Sequence, residues 1–404
     1  MRRCVLGAEK EIPDTHSARQ TVKNSISIVT ESILRFTFKG NGMFNIKKQI
    51  RRLYASSLFS TLSLSGAWVA ILSSRGFSLA QIGAAETVFH LVSLIFEIPS
   101  GALADVVGRK KTLLISCVMR IIANIAMIAS NNFALVCVSI AFSALHYNCM
   151  SGSDDALAYD SLKSAGEEGS FERYASNQLV IYRVCDGLST LTAGLALVLG
   201  YRIAYASGIF FSLVQGFFLC GLAEIRLEAP KEKTHLVPEI LGCFAKSFAF
   251  LRTEKRIASF MFANSAVGAL DILLLFFLQA KLPMAHIPNW ALGLALLAMQ
   301  AGGVIGAKAV LLAHKMRYRS LFALSFALIA LGIALEHSGL YAVMTFGGFV
   351  AALADDALQV RTNALLQQRF PSEQRATLIS IESFTFSLVM IVLSPLAGVF
   401  FSHW

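Results

Sequence analysis

Charge is what this chain has least of for its size. Only 15% of its 404 residues are Asp, Glu, Lys or Arg, while 55% are hydrophobic and the mean hydropathy is +0.62. That balance excludes a globule with an ordinary water-facing surface. Cys4, Cys117, Cys137, Cys149, Cys185, Cys220 and Cys243 are scattered and never form a Cys-x-x-Cys spacing, which argues for free thiols over a metal or dithiol site. A Gly-x-x-x-x-Gly-Lys-Ser/Thr loop is missing too, so ATP is not expected as a direct fuel. Neither His-x-x-x-His nor His-Glu-x-x-His occurs, so no metal site, no cofactor and no enzymatic activity are expected. Arg2-Arg3 is followed by no apolar core, so no signal peptide is expected there.

What the chain does have is long apolar runs. A hydrocarbon core takes about 20 apolar residues per helix, and backbone groups in lipid must be satisfied within helices or closed barrels. These runs are too long for barrel strands. The expected fold class is therefore all-α and polytopic, embedded in a lipid bilayer. Length, apolarity and punctuation predict spans near 53–74, 80–104, 112–130, 133–161, 174–199, 202–222, 257–280, 289–313, 320–336, 340–367 and 376–401.

Lys and Arg explain the formal net charge of +10 and decide orientation. They gather in alternate loops, at Arg109/Lys110/Lys111, Lys163/Arg173, Arg226 to Arg256, Lys315/Arg317/Arg319 and Arg369/Arg375. Such a distribution is the positive-inside asymmetry of a membrane protein and not a nucleic-acid surface. The amino terminus and these loops are expected on the cytoplasmic side of the cytoplasmic membrane. Residues 1–42 are polar and are expected to be poorly ordered, with Met43 a candidate initiator before the basic run Lys47, Lys48, Arg51 and Arg52.

Two related halves are expected at 43–225 and 256–404, joined by a cytoplasmic linker at 226–255. Within the linker, Val237, Leu241, Phe244, Phe248 and Leu251 recur every three or four residues, the pattern of a helix lying flat on the membrane surface. The halves share a repeat. Asp154-Asp155-Ala156-Leu157 returns as Asp355-Asp356-Ala357-Leu358, a shift of 355 − 154 = 201 residues. The same shift leaves span six without a counterpart, so eleven spans are expected, with the second half one helix short; a truncated or non-transporting relative is an alternative on that ground.

Between the second and third runs lies Gly101-Ala-Leu-Ala-Asp105-Val-Val-Gly108-Arg109-Lys110-Lys111. It resembles the hallmark loop of the major facilitator superfamily of secondary transporters, with each fixed position present. The resemblance implies two six-helix halves, a small-molecule substrate, coupling to protons, export slightly favoured over uptake, and a monomer. It also implies a conformational latch made by Gly101, Asp105, Gly108, Arg109, Lys110 and Lys111. Asp105 is expected at the amino end of span eleven, where a helix dipole favours an anion. Arg109 is expected to pair with Asp160, and these contacts to weaken as the carrier turns inward. Gly101 is expected to admit a neighbouring helix closely and Gly108 to permit the bend. Two marks of the superfamily's drug exporters are missing: Asn148 stands where they often carry an arginine, and span five has no Gly-Pro pair.

Charges inside the runs are the second signal. An ionised side chain near mid-bilayer costs at least about 2.5–3.5 kcal/mol, so those retained need a partner or a task. In the superfamily geometry, spans one, four, seven and ten line the cavity and two, five, eight and eleven flank it. That nominates Glu86, His146, Asn148, Arg183, Asp186, Asp271 and Asp355 for substrate or proton handling. Asp271 and Asp186, nearest mid-membrane, are the proton candidates. Arg183 and Asp186, three residues apart, are expected to form a local pair.

Overall fold

The computed structural model describes residues 45–225, 249, 251–313, 315–369 and 375–403. The stretch 1–42, with Met43, and the interfacial helix of the linker, apart from Leu251, lie outside the described residues. Those described form helices and no strand. The first group is α1 (Ile46–Thr61), α2 (Trp68–Ser74), α3 (Leu79–Val107), α4 (Arg109–Ala129), α5 (Phe133–Met150), α6 (Ser153–Ser164), α7 (Phe171–Leu191), α8 (Ala193–Leu199) and α9 (Tyr201–Cys220). The second is α10 (Lys255–Met284), α11 (Asn289–Leu312), α12 (Tyr318–Glu336), α13 (Tyr341–Arg369) and α14 (Arg375–Ser402).

Local chemistry sets several helix starts. The Ser78 hydroxyl accepts from the Gln81 N–H while the Gln81 side chain accepts from the Ser78 N–H, a reciprocal cap that opens α3. Asn132 opens α5 by accepting from the Leu135 N–H at 2.9 Å.

Among the described residues, nine helices are long and apolar enough to cross a membrane, with α5 and α6 running on as one. The pair α7 and α8, bent by 47°, makes a tenth. The expected first span at 53–74 is not one continuous apolar helix. It divides into α1 and the seven-residue α2, with 62–67 between them, because the Leu-Ser-Leu-Ser-Gly-Ala stretch is held by side chains of neighbouring helices.

The core is shared at one end of the bundle and divided at the other. At the end opposite the basic loops, one buried cluster joins Val69, Ile71, Ile82 and Ala196 of the first group to Leu273, Phe277, Leu292 and Val389 of the second. Trp68 meets Phe276 edge to face there, with ring centroids 5.6 Å apart. Glycine lets the backbones close: a Cβ on Gly194 of α8 would run into the Asn289 carbonyl of α11, and one on Gly293 into the Leu191 carbonyl. Toward the basic loops the clusters separate. Leu53, Leu113, Leu157, Tyr174 and Leu219 form one within the first group, and Ile257, Met261, Leu366 and Ile381 form another within the second.

Candidate functional site

The hallmark loop sits at the basic end, where α3 turns into α4. Gly108 carries φ +111°, a backbone region that an L side chain rarely adopts, and serves as the hinge between the two helices. Arg109 donates to Asp160 and, at 2.7 Å, to the Ala156 carbonyl, so the expected partner is in place. Glu224, which charge within the runs did not nominate, completes the turn. Its two carboxylate oxygens accept from the Arg109 and Lys110 N–H groups at 2.9 and 3.0 Å, closing orphan donors at the positive end of α4. Lys110 turns inward and donates to the Cys220 carbonyl at 2.9 Å, while Lys111 is exposed. The side chains of Asp105 and of 375–380, at the amino end of α14, lie outside what is described. Among the described residues nothing lies within 4 Å of the Gly101 Cβ position.

Higher in the first group, polar side chains hold the interrupted span. Arg120 of α4 donates to the carbonyls of Phe59 at 3.1 Å, Leu62 at 3.0 Å and Ser60. The Ser63 and Leu64 N–H groups donate to Ser189 and Ser207 hydroxyls at 3.2 and 3.1 Å. Backbone freed from the helix is thus satisfied by protein, as it must be at membrane depth.

His146 and Asn148 are engaged by neighbouring helices of the first group. The His146 ring donates from Nδ1 to the Ser116 carbonyl of α4 at 2.9 Å. Asn148 is buried and doubly joined to Ser93 of α3, accepting from its hydroxyl and donating to its carbonyl, both at 2.7 Å. Each occupies a helix face that packs within the first group. Glu86, also buried, lies 3.2 Å from His90 on the same helix, and the other His90 ring nitrogen is 3.4 Å from the Ser387 hydroxyl of α14. That chain of contacts crosses from one group to the other.

The remaining nominees converge. Arg183 and Asp186 are within electrostatic range of each other, with no contact at ion-pair distance among the described residues, and Asp186 also accepts from Gln300 Nε2 of α11 at 3.0 Å. Arg183 is exposed and within electrostatic range of Asp356 on α13. Asp356 in turn neighbours Asp271 of α10 and Asp355. Asp355 is 3% exposed; one carboxylate oxygen accepts from Gln359 at 2.9 Å, and the other has no hydrogen-bond partner among the described residues. Four carboxylates, one guanidinium and Gln300 are thus linked by hydrogen-bond or electrostatic contacts between the two groups. Gln300 and Asp356 were missed in the sequence, the first because it is uncharged. The second was legible as the following residue of the repeated Asp-Asp pair.

No protein-family model and no curated sequence is similar enough to match the chain. Solved structures are. A variant of the nucleoside transporter NupG superposes with a TM-score of 0.68 at 17% identity, over 89% of this chain and 96% of that one. The chain has the fold of the major facilitator superfamily. A bacterial homologue of the iron transporter ferroportin in an inward-facing state gives a TM-score of 0.67 at 12% identity, over 88% of this chain and 92% of that one. The D-xylose-proton symporter gives 0.61 at 11%, over 87% and 88%. Asp271 and Asp355 come from α10 and α13, and Asp186 and Glu86 from α7 and α3.

Proposed function

We propose that this protein is a secondary active transporter that carries a small molecule across the cytoplasmic membrane by alternating access, driven by protons, with export favoured over uptake. The observation that carries the reading is the division of the core: the halves are joined at one end and parted at the other, with charged groups from both halves at the junction. A carrier that exposes a central site to one side at a time requires such an arrangement. With the basic loops and the amino terminus cytoplasmic, the described conformation is inward-open.

In this reading Asp271 and Asp355 hold the transported proton, and the Asp186–Gln300 contact closes the path from the far side. The pairing of Arg109 with Asp160 lies within one half and is intact while the basic end is open. It braces the loop in both states, so the part of the latch that changes is the contact of Asp105 with span eleven. The working unit is a monomer of two halves, 43–225 and 256–404, linked through 226–255. The solved neighbours are named for nucleosides, D-xylose with protons, iron and peptides, which supports a small solute as cargo.

Uptake and efflux of a chemically diverse panel in proteoliposomes, with and without a pH gradient, tests the proposal. Gradient-dependent movement of at least one compound is expected. Movement that ignores the gradient would remove the proton from the mechanism, and no movement of any compound would favour the non-transporting relative.

A further inference from the structure

A second feature of the basic end stands apart from the transport path. Between the start of α1, the end of α6 and the start of α7 lies a cavity of about 350 Å³. Its wall combines two kinds of surface. Ile46, Ile50 and Leu162 give an apolar side, floored by the rings of Tyr54 and Tyr174, stacked with centroids 5.1 Å apart. Lys47, Arg51 and Arg173 give a cationic side, with Glu167 and Ser170 completing the lining.

Among the described residues the three cations are not consumed by acidic side chains. None makes an ion pair among the described residues, and the guanidinium of Arg51 is engaged only through Nε, 3.4 Å from the Lys47 carbonyl. All three are exposed. Against one carboxylate, Glu167, the lining carries a formal charge of +3 − 1 = +2. Solvated basic residues that serve only to orient a span need no cavity and no aromatic floor; here both are present, at the level where membrane spans meet water.

We propose that this cavity binds the phosphate headgroup of an anionic phospholipid from the leaflet on the basic side. Arg51 and Arg173 clasp the phosphate oxygens, since planar guanidinium groups match such oxygens two at a time. Lys47 adds a point charge, and the first acyl carbons lie along Ile46, Ile50 and Leu162. The apolar wall favours a lipid over a soluble phosphate compound, which shares the headgroup chemistry but has nothing to place there. Basic pockets between spans are a recurrent form of lipid recognition, with each cation near the surface contributing about 1 kcal/mol. The proposal requires only that the chain lies in a membrane and is independent of what it transports.

The test uses the full chain in phosphatidylcholine nanodiscs and in detergent, with short-chain phosphatidylglycerol, short-chain phosphatidylcholine and inorganic phosphate as probes, read by native mass spectrometry. Phosphatidylglycerol is expected to stay bound at concentrations where phosphatidylcholine is lost. Removing one cation, as in R51Q, is expected to weaken it about fivefold, and K47Q/R51Q/R173Q together about a hundredfold. An R51K/R173K variant, which keeps the charge but loses the paired guanidinium contacts, is expected to bind more weakly than the parent and more tightly than the triple variant, and unchanged melting of the lipid-free variants separates loss of the site from loss of the fold. Inorganic phosphate is expected to compete only weakly. Equal retention of both lipids, or unchanged preference in the triple variant, would overturn the proposal; strong competition by inorganic phosphate would overturn the lipid and reassign the site to a soluble phosphate ligand.

Discussion

The two halves share a repeat yet are built differently. In the second half α10, α11, α12, α13 and α14 are each unbroken, whereas the first half interrupts two of its spans, at 62–67 and at Thr192, and carries a turn at Ser151–Gly152 within a third. Shifting by 201 residues shows what changed: Arg120 corresponds to Leu321, Gly152 to Leu353, and Asp271 to Ala70. The first half has the guanidinium that holds open backbone, and the second has the acid that neighbours two further carboxylates.

The largest expected effect breaks the acidic side of that contrast. Asp271→Asn should reduce gradient-driven transport in proteoliposomes to background while the protein elutes and melts as the parent does. Activity equal to the parent would remove Asp271 from proton handling. Next is the basic side. Arg120→Met leaves three carbonyls of the interrupted span without their donor, and at about 1–3 kcal/mol for each unsatisfied buried group, a loss of about 3 kcal/mol or more is expected in denaturant titration. Leu321→Met, at the corresponding position of the unbroken half, should cost under about 1.5 kcal/mol.

A third change acts on the junction of the halves. Gly194→Leu places a side chain against the Asn289 carbonyl, and overpacking of this kind costs about 1–3 kcal/mol. The strain is relieved when the far end opens, so cysteine labelling at the far ends of α8 and α11 should increase relative to the parent. Unchanged labelling would mean that the far-end contact does not govern the state. The smallest effect is Ser189→Ala, which removes one acceptor from the Ser63 N–H and should cost about 1 kcal/mol by the same titration.

Much of this architecture was legible before any coordinates. Runs of apolar residues long enough to cross a bilayer, basic residues in alternate loops and the Asp-Asp-Ala-Leu repeat pointed to an all-helical membrane bundle in two halves. The pairing of Arg109 with Asp160 was implied by the resemblance of the loop to the superfamily's hallmark motif, and the two side chains are in contact. The interruption of span one was not legible. Its apolar residues continue through 62–67, and only Arg120, Ser189 and Ser207, 58 to 143 positions away in sequence, make a non-helical backbone tolerable there.

Which charge meets which was decided by tertiary structure. Spacing of three placed Arg183 and Asp186 on one helix face, but a helix face does not say what stands opposite. Gln300, 114 positions away, took Asp186, and Asp356 lies near Arg183. His146 and Asn148 similarly turned toward α4 and α3. The amino-acid sequence by itself determined the membrane, the helices and the repeat, since lipid permits few ways to satisfy a backbone and reads each span almost independently. The site depended on how two rigid halves meet, a relation between distant residues that no local pattern encodes.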